Sequence, residues 1–276
     1  GTLFSASLDK LAMESAWTWA IDLFDRNPYL FGTVGLNIWG FIVFWTWSLV
    51  FAVADFSKLP LLHQYKVQDN AAEKLTLSRF VDAVKLVLLN QLVVGPLFSL
   101  VMVPLLVSRI APLDAPLPGV LEILRDFVVY ALVEEVLFYY SHRVLHHKSL
   151  YQYIHKIHHR WVTPVAISAE YAHPIEHVLS NLFPIVMGPI LAGSHAFTMI
   201  LWVTFALTNT CIVHSGFHFP FLVSPQRHDW HHATYTENYG VLGLLDRLHG
   251  TDKRFRSNIA SRRHFVSFFL RPVSTI

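Results

Sequence analysis

The chain has 276 residues, of which 53% are hydrophobic and 14% charged, and its mean hydropathy is +0.41. This composition excludes an ordinary soluble enzyme and indicates a protein embedded in a membrane. The formal net charge of +2 gives no reason to expect a nucleic-acid partner. Because Cys211 is the only cysteine, an intramolecular disulfide and a cysteine-rich metal site are also excluded.

Apolar stretches alternate with polar ones along the first half of the chain. Residues 3–24 mix apolar side chains with acids, which predicts a helix at the membrane surface. Residues 33–54 carry no charge and are long enough to span a bilayer. After a polar stretch at 55–80, residues 86–108 predict a second span. A third apolar stretch, 120–140, follows a proline-rich turn and carries Arg125, Asp126, Glu134 and Glu135 among its charged side chains.

The long apolar region at 178–213 predicts a helical hairpin. At about 1.5 Å per residue it is too long for one upright crossing and slightly short for two. Histidine clusters lie on both sides of it, and they can share a metal centre only if both lie on the same membrane face. We therefore expect a hairpin, spanning or re-entrant, that turns near Gly193.

These elements predict an all-α polytopic membrane protein with four to five spanning or re-entrant helices and a helical cap that holds a histidine-rich dimetal site. We expect two parts: residues 1–80, with the surface helix, the first span and a linker, and residues 81–276, the catalytic domain. Seventeen of the 21 lysine and arginine residues lie in 58–85, 143–160 and 227–271, the segments predicted on the same side of the membrane as the histidine clusters. The positive-inside rule therefore predicts that the histidines face the cytosol.

Ten of the 17 histidines fall into four clusters. One first-row metal ion rarely takes more than six ligands, so ten imidazoles predict two ions. Positions i, i+3 and i+4 share one face of a helix, so we expect the three histidines of each HxxHH to point the same way. A single such cluster can be a solvated polar surface, but four of them favour metal binding. The predicted ligands are His142, His146, His155, His158, His159, His214, His218, His228, His231 and His232.

Further residues are predicted around these ligands. A carboxylate inside an apolar stretch is costly and points to a function, such as orienting an imidazole through its second nitrogen. The alternative is that these acids pair with Arg125 or with a tyrosine. Possible additional ligands are His147, His173 and Asn238. Candidates for orienting the ligands are Glu134, Glu135, Tyr139 and Asp229. Candidates for the wall of the substrate pocket are Trp161, Phe217, Phe219 and Trp230.

The ligand type alone leaves the metal open, because all-nitrogen sites suit iron, copper, nickel or zinc. Activation of O2 requires a redox-active metal with an open coordination position, and neutral imidazoles beside a membrane suit attack on a lipid C–H bond. The sequence contains neither a GxGxxG fingerprint nor a CxxCH haem site. A separate electron donor is therefore expected.

The clusters resemble the three histidine boxes HX3H, HX2HH and HX2HH of the sterol desaturase/fatty acid hydroxylase superfamily of membrane di-iron oxygenases. The matching segments are HRVLH at 142–146, HKIHH at 155–159 and HDWHH at 228–232. The intervening EEVLFYYSHR, SAEYAHPIEH and NYGVLGLLDRLHGTD are similar to the C-4 methylsterol oxidase branch. The resemblance covers residues 121–255, about half of the chain.

The resemblance implies that the eight histidines of the three boxes bind two irons, and that His214 and His218 correspond to an additional histidine pair. It also implies an enzyme of the endoplasmic reticulum membrane that uses O2 and takes electrons from cytochrome b5 or a similar NAD(P)H-fed donor. The implied reaction is oxidation of the C-4 methyl group of sterols. Fatty-acyl or sphingolipid hydroxylation and sterol desaturation are alternatives within the superfamily. A non-catalytic membrane metal-binding protein is the alternative of another class, although the histidines lie at the ends of the predicted spans, whereas a transporter needs its ligands near mid-membrane.

Overall fold

The computed structural model describes residues 2–68 and 75–275, with side chains from residue 11 onward. Residues 69–74 of the predicted polar stretch lie outside the described residues. In the described residues the regular structure is helical, with one isolated β-bridge between Lys66 and Phe217. The helices discussed below are α1 (Thr2–Asp22), α2 (Pro28–Ser57), α3 (Leu77–Arg109), α4 (Val120–Leu145), α5 (Pro174–Ala192), α6 (Ala196–His214), α7 (Gln226–Thr234), α8 (Leu244–His249), α9 (Lys253–Ser257) and α10 (Ile259–Arg262).

Four of these helices, α2, α3, α5 and α6, are long and apolar enough to cross a membrane. The predicted all-α polytopic fold is therefore confirmed. Helix α2 begins where the side chain of Asn27 accepts hydrogen bonds from the first free backbone N–H groups, and it ends at Lys58 in the left-handed conformation. Helices α3 and α5 contain π-helical turns just before Pro96 and Pro184. A proline cannot donate the i→i−4 hydrogen bond, and a widened turn accommodates its ring.

The predicted hairpin is formed by α5 and α6. It turns at Gly193, whose φ of +64° favours glycine. The turn also contacts the α3–α4 connector: the N–H of Ala111 donates to the carbonyl of Ser194, and the His195 ring donates to the carbonyl of Ala115. Both connectors therefore lie at the same end of the helical bundle.

Helix α4 runs against α5 at very short range. An added Cβ at Gly188 of α5 would lie 2.8 Å from the Cα of Tyr130, so only glycine allows this approach. The charge of α4 is paired locally, because Arg125 donates to Asp126 at 2.7 Å. Among the described residues, no hydrogen bond or ion pair joins Arg125 to Glu134 or Glu135, the two acids of the alternative stated above.

One hydrophobic core lies next to the helical cap, by which we mean the histidine-bearing segments outside the spans, and it joins the beginning of the chain to its middle. Phe44 and Phe51 of α2 pack in one buried cluster with Trp161, Cys211 and Phe217. The indole N–H of Trp47 donates to Thr208 of α6 at 2.8 Å, which satisfies a polar group inside the apolar bundle. Helix α2 is therefore part of the scaffold that supports the second half of the chain.

Candidate metal centre

Nine of the ten predicted histidine ligands converge in two adjacent groups. Within each group, the candidate ligand atoms all lie within 4.8 Å of one another. The five-histidine group and the four-histidine group consist of His142, His146, His155, His159 and His231, and of His158, His214, His228 and His232. Nine ligands exceed the coordination capacity of one ion, so the arrangement fits two.

Each HxxHH box is divided between the two groups, which corrects the expectation that its three histidines point the same way. In HDWHH, His228 and His232 belong to the four-histidine group and His231 to the other. Positions i+3 and i+4 of an α-helix point about 100° apart, so one helix can serve two neighbouring ions. The groups adjoin closely, since the ring centroids of His159 and His232 are 4.9 Å apart.

Backbone carbonyls orient most of the rings. A carbonyl oxygen can only accept, so each ring nitrogen beside one must carry the proton and leave the other nitrogen as a bare lone pair. The Nδ1 donors and their acceptor carbonyls are His142 to Tyr239 at 2.8 Å, His231 to Glu237 at 2.7 Å, His232 to Trp161 at 2.8 Å, His214 to Thr210 at 2.8 Å and His158 to Tyr171 at 3.4 Å. His155 differs, because its Nδ1 lies 2.8 Å from the Oε1 of Glu176.

These orientations make the residues fit a bound cation. The Nε2 of His142 is then an unprotonated acceptor, and it lies in the five-histidine group together with the Nε2 of His231, which is unprotonated for the same reason. The Nε2 of His231 is buried and has no hydrogen-bond partner among the described residues. Facing lone pairs repel each other unless a cation lies between them. The donor set is therefore arranged for metal ions rather than for a hydrogen-bonded histidine core.

Burial keeps these imidazoles neutral. Burial, together with the neighbouring rings of His142 and His158, lowers the pKa of His146 to about 2. The same causes lower the pKa of the other ligands in the cap well below the usual range; these are His155, His158, His159, His228, His231 and His232. Neutral imidazole is the form that binds a metal, so no deprotonation is needed at physiological pH.

His218, the tenth predicted ligand, lies outside both groups. Its Nε2 donates to the carbonyl of Phe265 at 2.9 Å, and its Nδ1 faces the side-chain amide of Gln226 at 3.5 Å. Both ring nitrogens are thus directed at protein groups. We therefore exclude His218 from the proposed ligand set.

The possible additional ligands lie at different distances from the centre. His147 caps the short helix Lys148–Tyr151 and His173 caps α5, since their Nδ1 atoms accept backbone N–H groups, and neither belongs to a histidine group. Asn238 does line the cavity beside the histidines, and its Oδ1 is buried without a hydrogen-bond partner among the described residues.

The acids and the tyrosine predicted to orient the ligands contact other parts of the protein instead of the histidine rings. Glu135 accepts the backbone N–H groups of Leu242 and Leu245, at 2.7 and 2.9 Å, and so fixes the segment that leads into α8. Tyr139 lies 3.2 Å from the hydroxyl of Thr251 in the same region. Asp229 accepts from the side chain of Gln68 at 2.9 Å, and Glu134 lines the cavity. None of the four bonds to a histidine of either group.

Three other acids, which the sequence did not single out, brace the centre. Glu176 faces His155, and Glu237 accepts the indole N–H of Trp230 at 3.1 Å. Asp246, fully buried, accepts hydrogen bonds from Tyr239, Gly240, Thr251 and Arg227. All three stand in the segments SAEYAHPIEH and NYGVLGLLDRLHGTD or directly beside them, so an acid in a predominantly apolar segment was the available signal.

The four aromatic residues predicted as pocket walls are part of the protein core instead. Trp161, Phe217 and Phe219 pack in the cluster below the cap, where Phe217 and Phe219 stack with ring centroids 5.0 Å apart. Trp230 packs against Phe255. None of the four is among the described residues that line the two cavities below.

Two neighbouring cavities lie at the histidine groups and in the bundle interior. The first, which we call the metal-side cavity, measures about 1030 Å³ with its space open to solvent, and it is lined by ligands of both groups and by apolar side chains such as Phe138 and Val213. The second, which we call the membrane cavity, measures about 820 Å³ with its space open to solvent and lies between α2, α3, α5 and α6. Glu170, Ile185 and Leu207 line both cavities.

Comparisons with known proteins agree with this geometry. The family model described as fatty acid hydroxylase matches residues 127–251. The chain is 36% identical to human fatty acid hydroxylase domain-containing protein 2 over 95% of its own length and 79% of that protein. It belongs to the sterol desaturase/fatty acid hydroxylase superfamily.

Other superfamily relatives carry different names. A putative methylsterol monooxygenase of Dictyostelium discoideum is 31% identical over 93% of this chain and 97% of the relative. A very-long-chain aldehyde decarbonylase of Oryza sativa subsp. indica is 33% identical over 90% and 94%, respectively. No solved structure matches the chain significantly. The superfamily consists of membrane oxidoreductases with di-iron centres, so the two histidine groups are candidate sites for its metals.

Proposed function

We propose that this protein is an O2-dependent lipid oxygenase that oxidises the C-4 methyl group of sterols, with two irons bound by the nine grouped histidines. One observation carries the proposal: bare imidazole nitrogens converge in two adjacent groups beside a cavity that shares its wall with the apolar bundle interior. The sterol substrate is supported by the relative named as a putative methylsterol monooxygenase, which matches over nearly its whole length.

When bound, two irons would supply the one-electron and O2 chemistry that an unactivated C–H bond requires. The protein residues hold the metal ligands and orient them. Carbonyls such as that of Tyr239 fix the rings, and Glu176 fixes His155. Apolar side chains such as Phe138 and Val213 line the metal-side cavity and keep water away from the reacting carbon.

The electrons come from outside the chain, from cytochrome b5 or a similar NAD(P)H-fed donor, on the cytosolic face of the endoplasmic reticulum membrane. The cap segment 253–263 supports this proposal, because it carries five basic side chains and no acidic one. Such a surface attracts an acidic protein and speeds its association.

Fatty-acyl or sphingolipid hydroxylation is the second candidate. The matching family model carries the description fatty acid hydroxylase, and the membrane cavity is apolar enough for an acyl chain. Both candidates use the same histidines, so only the substrate distinguishes them.

The test is a reconstituted reaction of the iron-loaded protein with ¹⁸O2, NADH, cytochrome b5 and its reductase. A 4,4-dimethylsterol and a ceramide are offered together, and the products are analysed by mass spectrometry. We expect ¹⁸O in a C-4 hydroxymethyl sterol and none with His228→Ala. Label in the acyl chain alone would establish the second candidate, and the absence of label in both lipids would overturn both.

A further inference from the structure

Glu170 holds a position that the proposed reaction has not used. It ends the 3-10 turn Ala166–Glu170, its relative exposure is only 8%, and it lines both cavities. The side-chain amide of Asn90 fixes this part of the chain, because it donates to the carbonyls of Glu170 and Ala172 at 3.1 and 2.9 Å. The carboxyl group is therefore held at the junction of the two cavities.

A hydrogen-bonded relay determines which oxygen of Glu170 faces the cavities. The indole N–H of Trp45 donates to Oε1 of Gln91 at 2.7 Å, and an indole can only donate. The amide nitrogen of Gln91 is consequently turned towards Glu170 and donates to its Oε2, also at 2.7 Å. Among the described residues, no hydrogen bond or ion pair reaches the other oxygen, Oε1.

The junction lies close to the four-histidine group. Tyr171, the next residue after Glu170, accepts a hydrogen bond from the ring of His158. His158 and Glu170 both line the metal-side cavity. A small polar group held at Glu170 would therefore lie beside the metal ligands, while an attached apolar body extends into the membrane cavity.

We propose that Oε1 of Glu170 accepts a hydrogen bond from the hydroxyl group of an apolar lipid and so positions the nearby carbon that is oxidised at the histidine groups. The inference rests on the proposed function and names its substrate class, a lipid alcohol. A carboxylate headgroup is disfavoured beside Glu170, since the two charges repel each other and no basic side chain is paired with it. In a 4-methylsterol the hydroxyl is on C-3, next to the carbon that carries the methyl group. Glu170 is thus a positioning residue that selects for a hydrogen-bond donor.

The relay gives this proposal a distinctive test in Glu170→Gln. Gln91 still requires an acceptor at its amide nitrogen, so the oxygen of the new amide takes that place and its NH2 group faces the cavities. The cavity then presents a donor in place of an acceptor. Preference should change from a lipid alcohol to the corresponding ketone.

The experiment measures equilibrium binding of three lipids to the full-length protein loaded with Zn²⁺, which does not turn over. The lipids are a 4,4-dimethylsterol with a free 3-hydroxyl group, its 3-ketone and its 3-methyl ether, in competition with the radiolabelled alcohol. Binding is measured at pH 8, because burial raises the pKa of the Glu170 carboxyl to about 7. The control is Glu122→Gln, the same change at an exposed carboxylate at the start of α4.

We expect the native protein and the control to bind the alcohol about tenfold or more tightly than the ketone and the ether, as for a hydrogen bond to a charged group. We expect Glu170→Gln to lose or reverse this ratio. Equal binding of the three lipids by the native protein, or an unchanged ratio in the variant, would overturn the proposal. If Glu170→Gln does not fold, the order in which the native protein binds the three lipids still tests the preference for a hydrogen-bond donor. Since no turnover is measured, a failure of the proposed oxygenase reaction is seen separately.

Discussion

At the scale of single residues, the metal centre depends on which nitrogen of each imidazole carries the proton. Five rings donate Nδ1–H to carbonyls, and the Nδ1 atom of His155 lies beside the carboxyl group of Glu176. The opposite nitrogens are left as acceptors that face one another inside a buried cap. Burial of unpaired acceptors is costly, so metal binding should stabilise the folded cap.

His158→Ala removes one of the four ligands in the second group, leaving His214, His228 and His232. We expect the iron content to fall from about two to about one per chain, because the five-histidine group keeps all its ligands. Turnover should fall at least about a hundredfold. Metal analysis of the purified protein and the reconstituted reaction measure the two quantities.

His218→Ala is the matched control, since it changes a cluster histidine that bonds to Phe265 and Gln226 instead of facing the groups. It should keep both irons and lose only about 1 kcal/mol of stability. Loss of one iron from this control, or full loading of His158→Ala, would contradict the division into groups.

At the scale of elements, the close contact of α4 with α5 decides where the first histidines lie. Helix α4 carries His142 at its C-terminal end, and α5 begins beside Glu176, which faces His155. Gly188 allows the two helices to approach at Tyr130. A change in this spacing therefore displaces one set of ligands relative to another.

Gly188→Ala should destabilise the protein by about 1–3 kcal/mol, because the new methyl group meets the backbone of Tyr130 at 2.8 Å and a helix backbone cannot yield locally. The midpoint of thermal unfolding in detergent measures the effect. Gly40→Ala is the control, since its methyl group would meet only Leu207, at an ordinary 3.6 Å. Its stability should change by less than about 0.5 kcal/mol. Equal midpoints for the two variants would show that the α4–α5 spacing is not critical.

At the scale of the whole molecule, the helical bundle separates two ends of different chemistry. The turn at Gly193 contacts the α3–α4 connector at one end, and α4 and α6 present His142 and His214 at the other. The basic segments 143–160 and 227–271 contain histidine boxes and therefore lie at the histidine end. We propose that the histidine end faces the cytosol, in line with the positive-inside rule.

This orientation is measurable with single cysteines, because the natural Cys211 is fully buried and should not react. In sealed vesicles with the cytosolic face outward, a membrane-impermeant maleimide should label Ser257→Cys in the cap. It should label Asp114→Cys, in the α3–α4 connector, only after permeabilisation. The reverse pattern would invert the proposed topology, and labelling of both in sealed vesicles would rule out the assignment of the connector to the other face.

The strongest sequence-based expectations concern features that local composition controls. Apolar stretches of sufficient length predicted the spans, and Gly193 within the longest one predicted the turn, because only glycine readily takes a positive φ there. Box spacing predicted that histidines would gather, and nine of them do. The division of the chain at residue 80 stays a prediction.

The sequence by itself determined a helical membrane protein with a histidine-rich site, since length, hydropathy and spacing are local properties of the chain. Only the tertiary structure decided which histidine belongs to which group, why His218 bonds to Phe265 instead, and that Glu170 faces both cavities. These outcomes depend on residues far apart in sequence, such as Tyr239 for His142 and Gln91 for Glu170. Hydrogen-bond directions are fixed only when such residues meet, and no local pattern encodes them.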